Sequence, residues 1–135
     1  FGSRLKSEAL GTPIETGDEM RIAIREDGHF WVQASVNGHV APFLVDSGAS
    51  ITTVSPAVAA AANLATGMRV ANVETANGAV QMAVGTADQF KVGQIERADF
   101  TLFVNKADST NVLGMNFLSS LSSWRVEGNV LVLRQ

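Results

Sequence analysis

Four two-residue turn signals cut this chain into short alternating runs, and few architectures tolerate that punctuation. Asp27-Gly28, Asn37-Gly38, Asn77-Gly78 and Gly128-Asn129 are all dipeptides that accept the left-handed backbone of a tight hairpin loop. Around the first two, apolar residues recur at every second position: Ile22 and Ile24, then Phe30, Val32, Ala34 and Val36. A period of two places them on one face of a strand. The sequence therefore predicts a β-meander that starts at Arg21 and turns at Asp27-Gly28 and Asn37-Gly38, then a strand over 40–45 that ends at Asp46. A second, longer hairpin joins 68–75 to 80–92 through Ala76-Asn77-Gly78-Ala79. Extended segments follow over 98–104, 112–113, 124–126 and 130–133, and the β-branched residues of 51–54 suit a short strand.

Helix is confined to small pieces. Ser55-Pro56 supplies a capping hydroxyl and a first-turn proline ahead of the alanine-rich run 57–62, and a helical turn is expected around 117–121. The alanine-rich run is also the longest apolar stretch, far below the roughly 20 residues that span a bilayer. With 135 residues, 46% of them hydrophobic, the chain can bury a single core without staples. Residues 1–20 lack periodicity and read as a flexible or peripheral N-terminal arm on a domain spanning 21–135. The opening Phe-Gly-Ser-Arg has neither the basic start nor the apolar run of a signal peptide. It is read as the start of a processed chain, with any targeting segment or membrane anchor belonging to the parent.

Charge and composition exclude several functions. Ten Lys and Arg against thirteen Asp and Glu give a net charge of -3, the wrong sign for tracking phosphates, so no nucleic-acid partner is expected. The absence of cysteine removes disulfides, thiolate nucleophiles and Cys-ligated zinc. His29 and His39 lack a third ligand at metal spacing and read as turn and strand-end residues, so neither a metal nor another cofactor is expected. A Gly-x-Ser-x-Gly elbow and a phosphate-cradling glycine loop are also missing.

One segment invites chemistry. Phe43-Leu44-Val45-Asp46-Ser47-Gly48-Ala49-Ser50 runs an apolar strand into an acid, a hydroxyl, a glycine and a small residue. A carboxylate at the end of a buried strand is costly unless it is hydrogen-bonded or used, although Asp-Ser-Gly alone also describes an ordinary turn. A matching element comes later: Val112-Leu113-Gly114, whose glycine would let another backbone pass closely behind the Asp46 loop.

Together these motifs resemble the retropepsin-like aspartic proteases, the retroviral enzymes and their single-domain bacterial relatives. The resemblance covers most of the chain from Arg21 onward. Asp46-Ser47-Gly48-Ala49 is similar to the family's catalytic loop, and Val112-Leu113-Gly114 to its hydrophobic-hydrophobic-Gly motif behind the active site. Leu113-Gly114-Met115-Asn116-Phe117-Leu118, with Trp124-Arg125-Val126-Glu127-Gly128, is most similar to the bacterial branch, often membrane-anchored and facing the periplasm. Ser47 departs from the threonine of most retroviral enzymes, keeping the hydroxyl and losing the methyl.

The resemblance implies an all-β, closed barrel-like fold with one or two short helices, acting as an aspartic endopeptidase on extended polypeptides. Carboxylate-driven peptide hydrolysis needs two acids sharing one proton, a general example being the aspartic proteases themselves. This chain holds one Asp-Ser-Gly, and Asp18, Asp27, Asp88, Asp99 and Asp108 sit among polar or turn residues. The second acid is therefore expected from a second copy, making the active unit a symmetric homodimer with the two Asp46 side chains at its axis. Ser47 would bond across that axis and Gly48 would donate its amide to the carboxylate. Ala49 stands where pepsin-like relatives carry a hydroxyl, implying an activity optimum less acid than pepsin's.

Residues Thr75, Ala76, Asn77, Gly78, Ala79 and Val80 look like a substrate-binding flap, and Val45, Val73, Val80, Val112 and Leu113 are candidates for apolar side-chain pockets. The terminal run 130–133 either completes a sheet across the dimer or closes the core of one copy. The rival reading is a catalytically silent domain of the same fold that binds peptides or a partner protein. A third is a β-barrel in which Asp-Ser-Gly is an unrelated turn.

Overall fold

The computed structural model describes residues 13–135, so residues 1–12 of the expected N-terminal arm lie outside the described residues. Eleven strands and two short helices follow in order: β1 (Ile14–Thr16), β2 (Glu19–Ala23), β3 (Trp31–Val36), β4 (His39–Val45), β5 (Thr53–Val54), α1 (Pro56–Ala61) and β6 (Ala65–Thr75). Then come β7 (Gly78–Val92), β8 (Ile95–Val104), β9 (Val112–Leu113), α2 (Met115–Leu118), β10 (Ser123–Glu127) and β11 (Val130–Arg134). The all-β expectation with small helices holds. Residues 14–16 and 19–20, read with the arm, belong to strands, and β1 is exposed.

The strands form two sheets. The larger has the order β3-β4-β9-β5-β8-β7-β6, and a further pairing of β3 with the end of β7 (Ala34↔Val92 to Val36↔Phe90) closes it into a ring with β6 outside. It is ring-like instead of a clean barrel. The smaller sheet has the order β1-β2-β11-β10.

Asn37-Gly38 makes the expected hairpin: Asn37 and Gly38 take φ of 50° and 87°, and Val36 pairs with His39. Asp27-Gly28 does not, and the expected meander is corrected there. β2 pairs with β11 and β3 with β4, so the chain crosses between sheets at this turn. The local turn chemistry is satisfied all the same: the Gly28 amide donates to the Arg25 carbonyl at 2.9 Å, and the Asp27 carboxylate accepts from the His29 amide and the Trp31 indole. A dipeptide reports loop geometry; the partner of the flanking strand is chosen by burial, here of Met20 opposite Leu133 and Ile22 opposite Leu131.

Two facing aspartates mark a second departure from simple alternation. Along β7, beyond the buried Met82, the buried positions run Gly85 and Ala87, then Phe90 and Val92, changing phase at Asp88. Along β8 they run Ile95, then Phe100, Leu102 and Val104, changing phase near Asp99, whose φ is 49°. The long β7–β8 ribbon thus turns its apolar face over partway along its length, which lets its β7 end pair with β3 and close the ring.

Inside the ring, Phe90 stacks on Phe100 at 4.6 Å between centroids and meets Phe43 and Phe117 edge-on at 5.7 and 5.6 Å. Such pairs add roughly 0.5–1.5 kcal/mol each beyond area burial. The helix α1 starts as read: Ser55 caps it, accepting from the Val58 amide at 3.2 Å, and Pro56 fills the first turn. The terminal strand also resolves its two readings within the described chain. Both edges of β11 are occupied, by β2 and β10, and Leu131, Val132 and Leu133 are buried, so it closes the core of its own copy.

Candidate active site

The apolar strand β4 delivers Asp46 to its end beside β9, which runs parallel with Leu44 opposite Val112 and Val45 opposite Leu113. The Asp46 amide extends that ladder by donating to the Leu113 carbonyl at 3.0 Å. The chain then turns back: the Ala49 amide donates to the Asp46 carbonyl at 3.1 Å and the Gly48 amide to Asp46 Oδ1 at 2.8 Å. A side chain at Gly48 would place its Cβ 3.1 Å from that same oxygen, so glycine leaves the carboxylate room. Asp46, Ser47 and Gly48 are exposed and Ala49 is half-buried. An exposed carboxylate oriented by a backbone donor is positioned to meet water or a polar group of a ligand.

Gly114 lies behind this loop. A Cβ there would fall 2.8 Å from both the Ala49 carbonyl oxygen and the Ile51 carbonyl carbon, so two backbones pass at a distance only glycine permits. The next two amides tie the loop down, Met115 donating to the Ala49 carbonyl at 2.8 Å and Asn116 to that of Ser50 at 3.0 Å. The structure thus brings residues 46–49 and 112–114 together in one backbone crossing.

The side chains that brace the crossing were given no role in reading the sequence. Thr52, fully buried, donates its hydroxyl to Asn116 Oδ1 at 2.8 Å and accepts from the Gly114 amide at 3.1 Å. Asn116 Oδ1 also takes the Thr52 amide at 2.8 Å, and its Nδ2 reaches the Thr101 carbonyl on β8 at 2.9 Å. Asn111 makes a parallel brace, accepting from the Ser55 amide and donating to the Pro42 carbonyl. The one available signal was an amide side chain inside the otherwise apolar run Leu113 to Leu118.

The hairpin read as a flap is present, with its tip at Ala76 and Asn77, one residue earlier than Asn77-Gly78. Gly78 already pairs with Thr75 and takes a φ of 103°. The Thr75 hydroxyl accepts from the Asn77 amide and donates to the Gly78 carbonyl at 2.7 Å, stiffening the turn. Among the described residues no hydrogen bond joins residues 75–80 to residues 46–49. Lower on the hairpin, residues 69–71 and 84 share a groove with Ile51, which follows the loop in sequence. This open groove of about 480 Å³ is lined by Ile51, Arg69, Val70, Ala71, Val84, Thr101 and Phe103. The expected pocket residues Val45, Val73, Val80, Val112 and Leu113 do not line it, and Leu113 is fully buried in the core. Alternation explains the burial of Leu113, which points inward from a strand whose backbone, not side chain, serves the loop, whereas Val45, Val73, Val80 and Val112 are half-buried. Among the described residues no cluster of three or more His, Asp or Glu could hold a metal. No described helix is long and apolar enough to cross a membrane.

Comparison with known proteins fits this geometry. The family described as "gag-polyprotein putative aspartyl protease" matches residues 32–120, well over half the chain, including both motifs. The chain belongs to the retropepsin-like aspartic protease family. A retropepsin-like aspartic protease from Rickettsia conorii superposes with a TM-score of 0.69 and 28% identity, covering 85% of this chain and 88% of that one. A Sinorhizobium sp. protein described as "Uncharacterized protein in cobV 5'region" is 31% identical across 99% of this chain, which spans 62% of that protein's length. As a retropepsin-like chain it contributes one Asp-Ser-Gly-Ala loop, and the other described aspartates are placed differently. Asp18 meets Arg134, Asp27 holds its own turn, Asp108 caps the Thr110 amide, and Asp88 and Asp99 are exposed on β7 and β8.

Proposed function

We propose that this chain is an aspartic endopeptidase that hydrolyses peptide bonds in extended polypeptides, working as a symmetric homodimer with one Asp46 from each copy. The observation that carries this reading is the Asp46 loop: an exposed carboxylate, held by the Gly48 amide at 2.8 Å, at the end of a strand locked from behind by Gly114. In the dimer the two loops meet at the two-fold axis and their carboxylates share one proton. The ionised member takes a proton from water as that water attacks the scissile carbonyl carbon; the protonated member donates to the carbonyl oxygen. The resulting tetrahedral intermediate collapses as the leaving nitrogen is protonated, and the dyad returns to its singly protonated state.

Ser47, exposed beside Asp46, is assigned to hold the two loops in register across the axis. The β6–β7 hairpin is assigned to cover the bound peptide, its tip stiffened by Thr75. The likeness of Leu113 to Leu118 to the bacterial branch supports a working enzyme that faces the periplasm, which protease accessibility in spheroplasts would test. The function itself is tested by cleavage of an unstructured protein substrate across acid to neutral pH, comparing wild type with Asp46→Ala. Cleavage with an optimum less acid than pepsin's, lost in the variant, is expected. Equal cleavage by both proteins would move the chemistry away from Asp46.

A further inference from the structure

The groove that Ile51 shares with the β6–β7 hairpin carries one charge. Of its seven lining residues, six are uncharged and the seventh is Arg69, exposed on β6. Among the described residues Arg69 has no carboxylate partner, as Arg25 and Arg97 have none, whereas Arg21, Arg125 and Arg134 are each engaged by Glu or Asp; Arg69 alone of these lines the groove. The β6–β7 ladder slips between Thr66 and Val70, and a bulge of this kind re-aims the side chains within it. Val70, 60% exposed, is its immediate neighbour on the groove wall. Among the described residues β6 is also the last strand of its sheet, with no strand on its outer edge, the kind of edge that accepts an extended backbone. The opposite wall belongs to the catalytic scaffold: Ile51 packs its backbone against Gly114, and the Thr101 carbonyl is held by Asn116.

We propose that Arg69 is a specificity residue, which seats a Glu or Asp side chain of the bound polypeptide in this groove, away from the cleaved bond along the chain. A planar guanidinium matches a carboxylate with two parallel hydrogen bonds, and apolar surroundings such as Val70 and Phe103 favour the methylenes that carry the carboxylate. Clustering of acidic residues near preferred cleavage sites follows, at a distance from the bond set by the reach from Asp46 to the groove.

This inference rests on an extended polypeptide as ligand, and the experiment separates it from the proposed chemistry. Matched peptides carry Glu, Gln or Lys at successive positions along the chain. They are compared as substrates of wild type, Arg69→Gln and Arg69→Glu, and as ligands of Asp46→Asn with and without Arg69→Gln, by fluorescence anisotropy. At one position wild type should favour Glu over Gln by roughly threefold to fivefold, the scale of an exposed ion pair, and the preference should fade in high salt. Arg69→Gln should erase it and Arg69→Glu should turn it toward Lys. Binding that keeps this charge preference without cleavage by any form would sink the endopeptidase reading and sustain the groove. Cleavage or binding ranked identically with and without Arg69 overturns the inference and leaves Asp46 untouched, as does absence of binding to every peptide.

Discussion

At the scale of single residues, Gly114 constrains the site most tightly. Its own φ of -104° suits any residue, so the demand for glycine is steric and comes from the Ala49 and Ile51 backbones. Gly114→Ala should lower stability by about 1–3 kcal/mol, the range for overpacking, and reduce activity further by displacing the Asp46 loop; urea denaturation beside an activity assay reads both. Asp27 shows a different dependence. The Trp31 indole first, and the His29 amide second, hold its carboxyl below the ordinary value of 3.8. A carboxyl lowered in the folded state stabilises the fold above its unfolded value and loses that contribution as pH falls through the lowered one. Asp27→Ala should therefore destabilise the protein at neutral pH and match wild type in strong acid. A gap that persists unchanged in strong acid would assign the loss to packing.

At the scale of elements, the Thr52–Asn116 brace explains how two distant segments keep one geometry. Thr52→Val leaves the Gly114 amide without its acceptor and should cost about 1–3 kcal/mol. Asn116→Ala strands the Thr52 amide similarly, and because both act on one network the double variant should fall short of additivity by about 0.5 kcal/mol or more. Strict additivity in a denaturation cycle would mean that the two side chains act separately. This brace also marks where sequence reading stops. The α1 cap and the Asn37-Gly38 hairpin were legible because each is decided within a few residues by backbone sterics. The close approach at Gly114 was legible because a glycine between branched residues and a helix marks a backbone crossing even when its partner is distant. Asp27-Gly28 misled because its turn is local while the pairing of β2 is not. Asn116 was silent because its partners, Thr52 and Thr101, are distant in sequence and no spacing rule links them.

At the scale of the whole molecule, the ring and the small sheet have separate duties. The ring carries the Asp46 loop and the hairpin, while the small sheet is completed within one chain, with β11 between β2 and β10. Removing 130–135 should thus unfold the chain itself, seen as loss of the cooperative urea transition, and not merely yield folded monomers. Among the described residues the outermost strands are β1 and β10 in the small sheet and β6 in the larger one, so the proposed pair associates without borrowing β11. The central claim is that two Asp46 residues are needed for one active site. Its most direct test is titration of wild type with Asp46→Asn at fixed wild-type concentration. Mixed pairs hold one competent acid, so cleavage should fall as the variant is added, and activity per wild-type chain should rise with wild-type concentration when no variant is present. Activity strictly proportional to enzyme and indifferent to the variant would contradict the dimeric dyad.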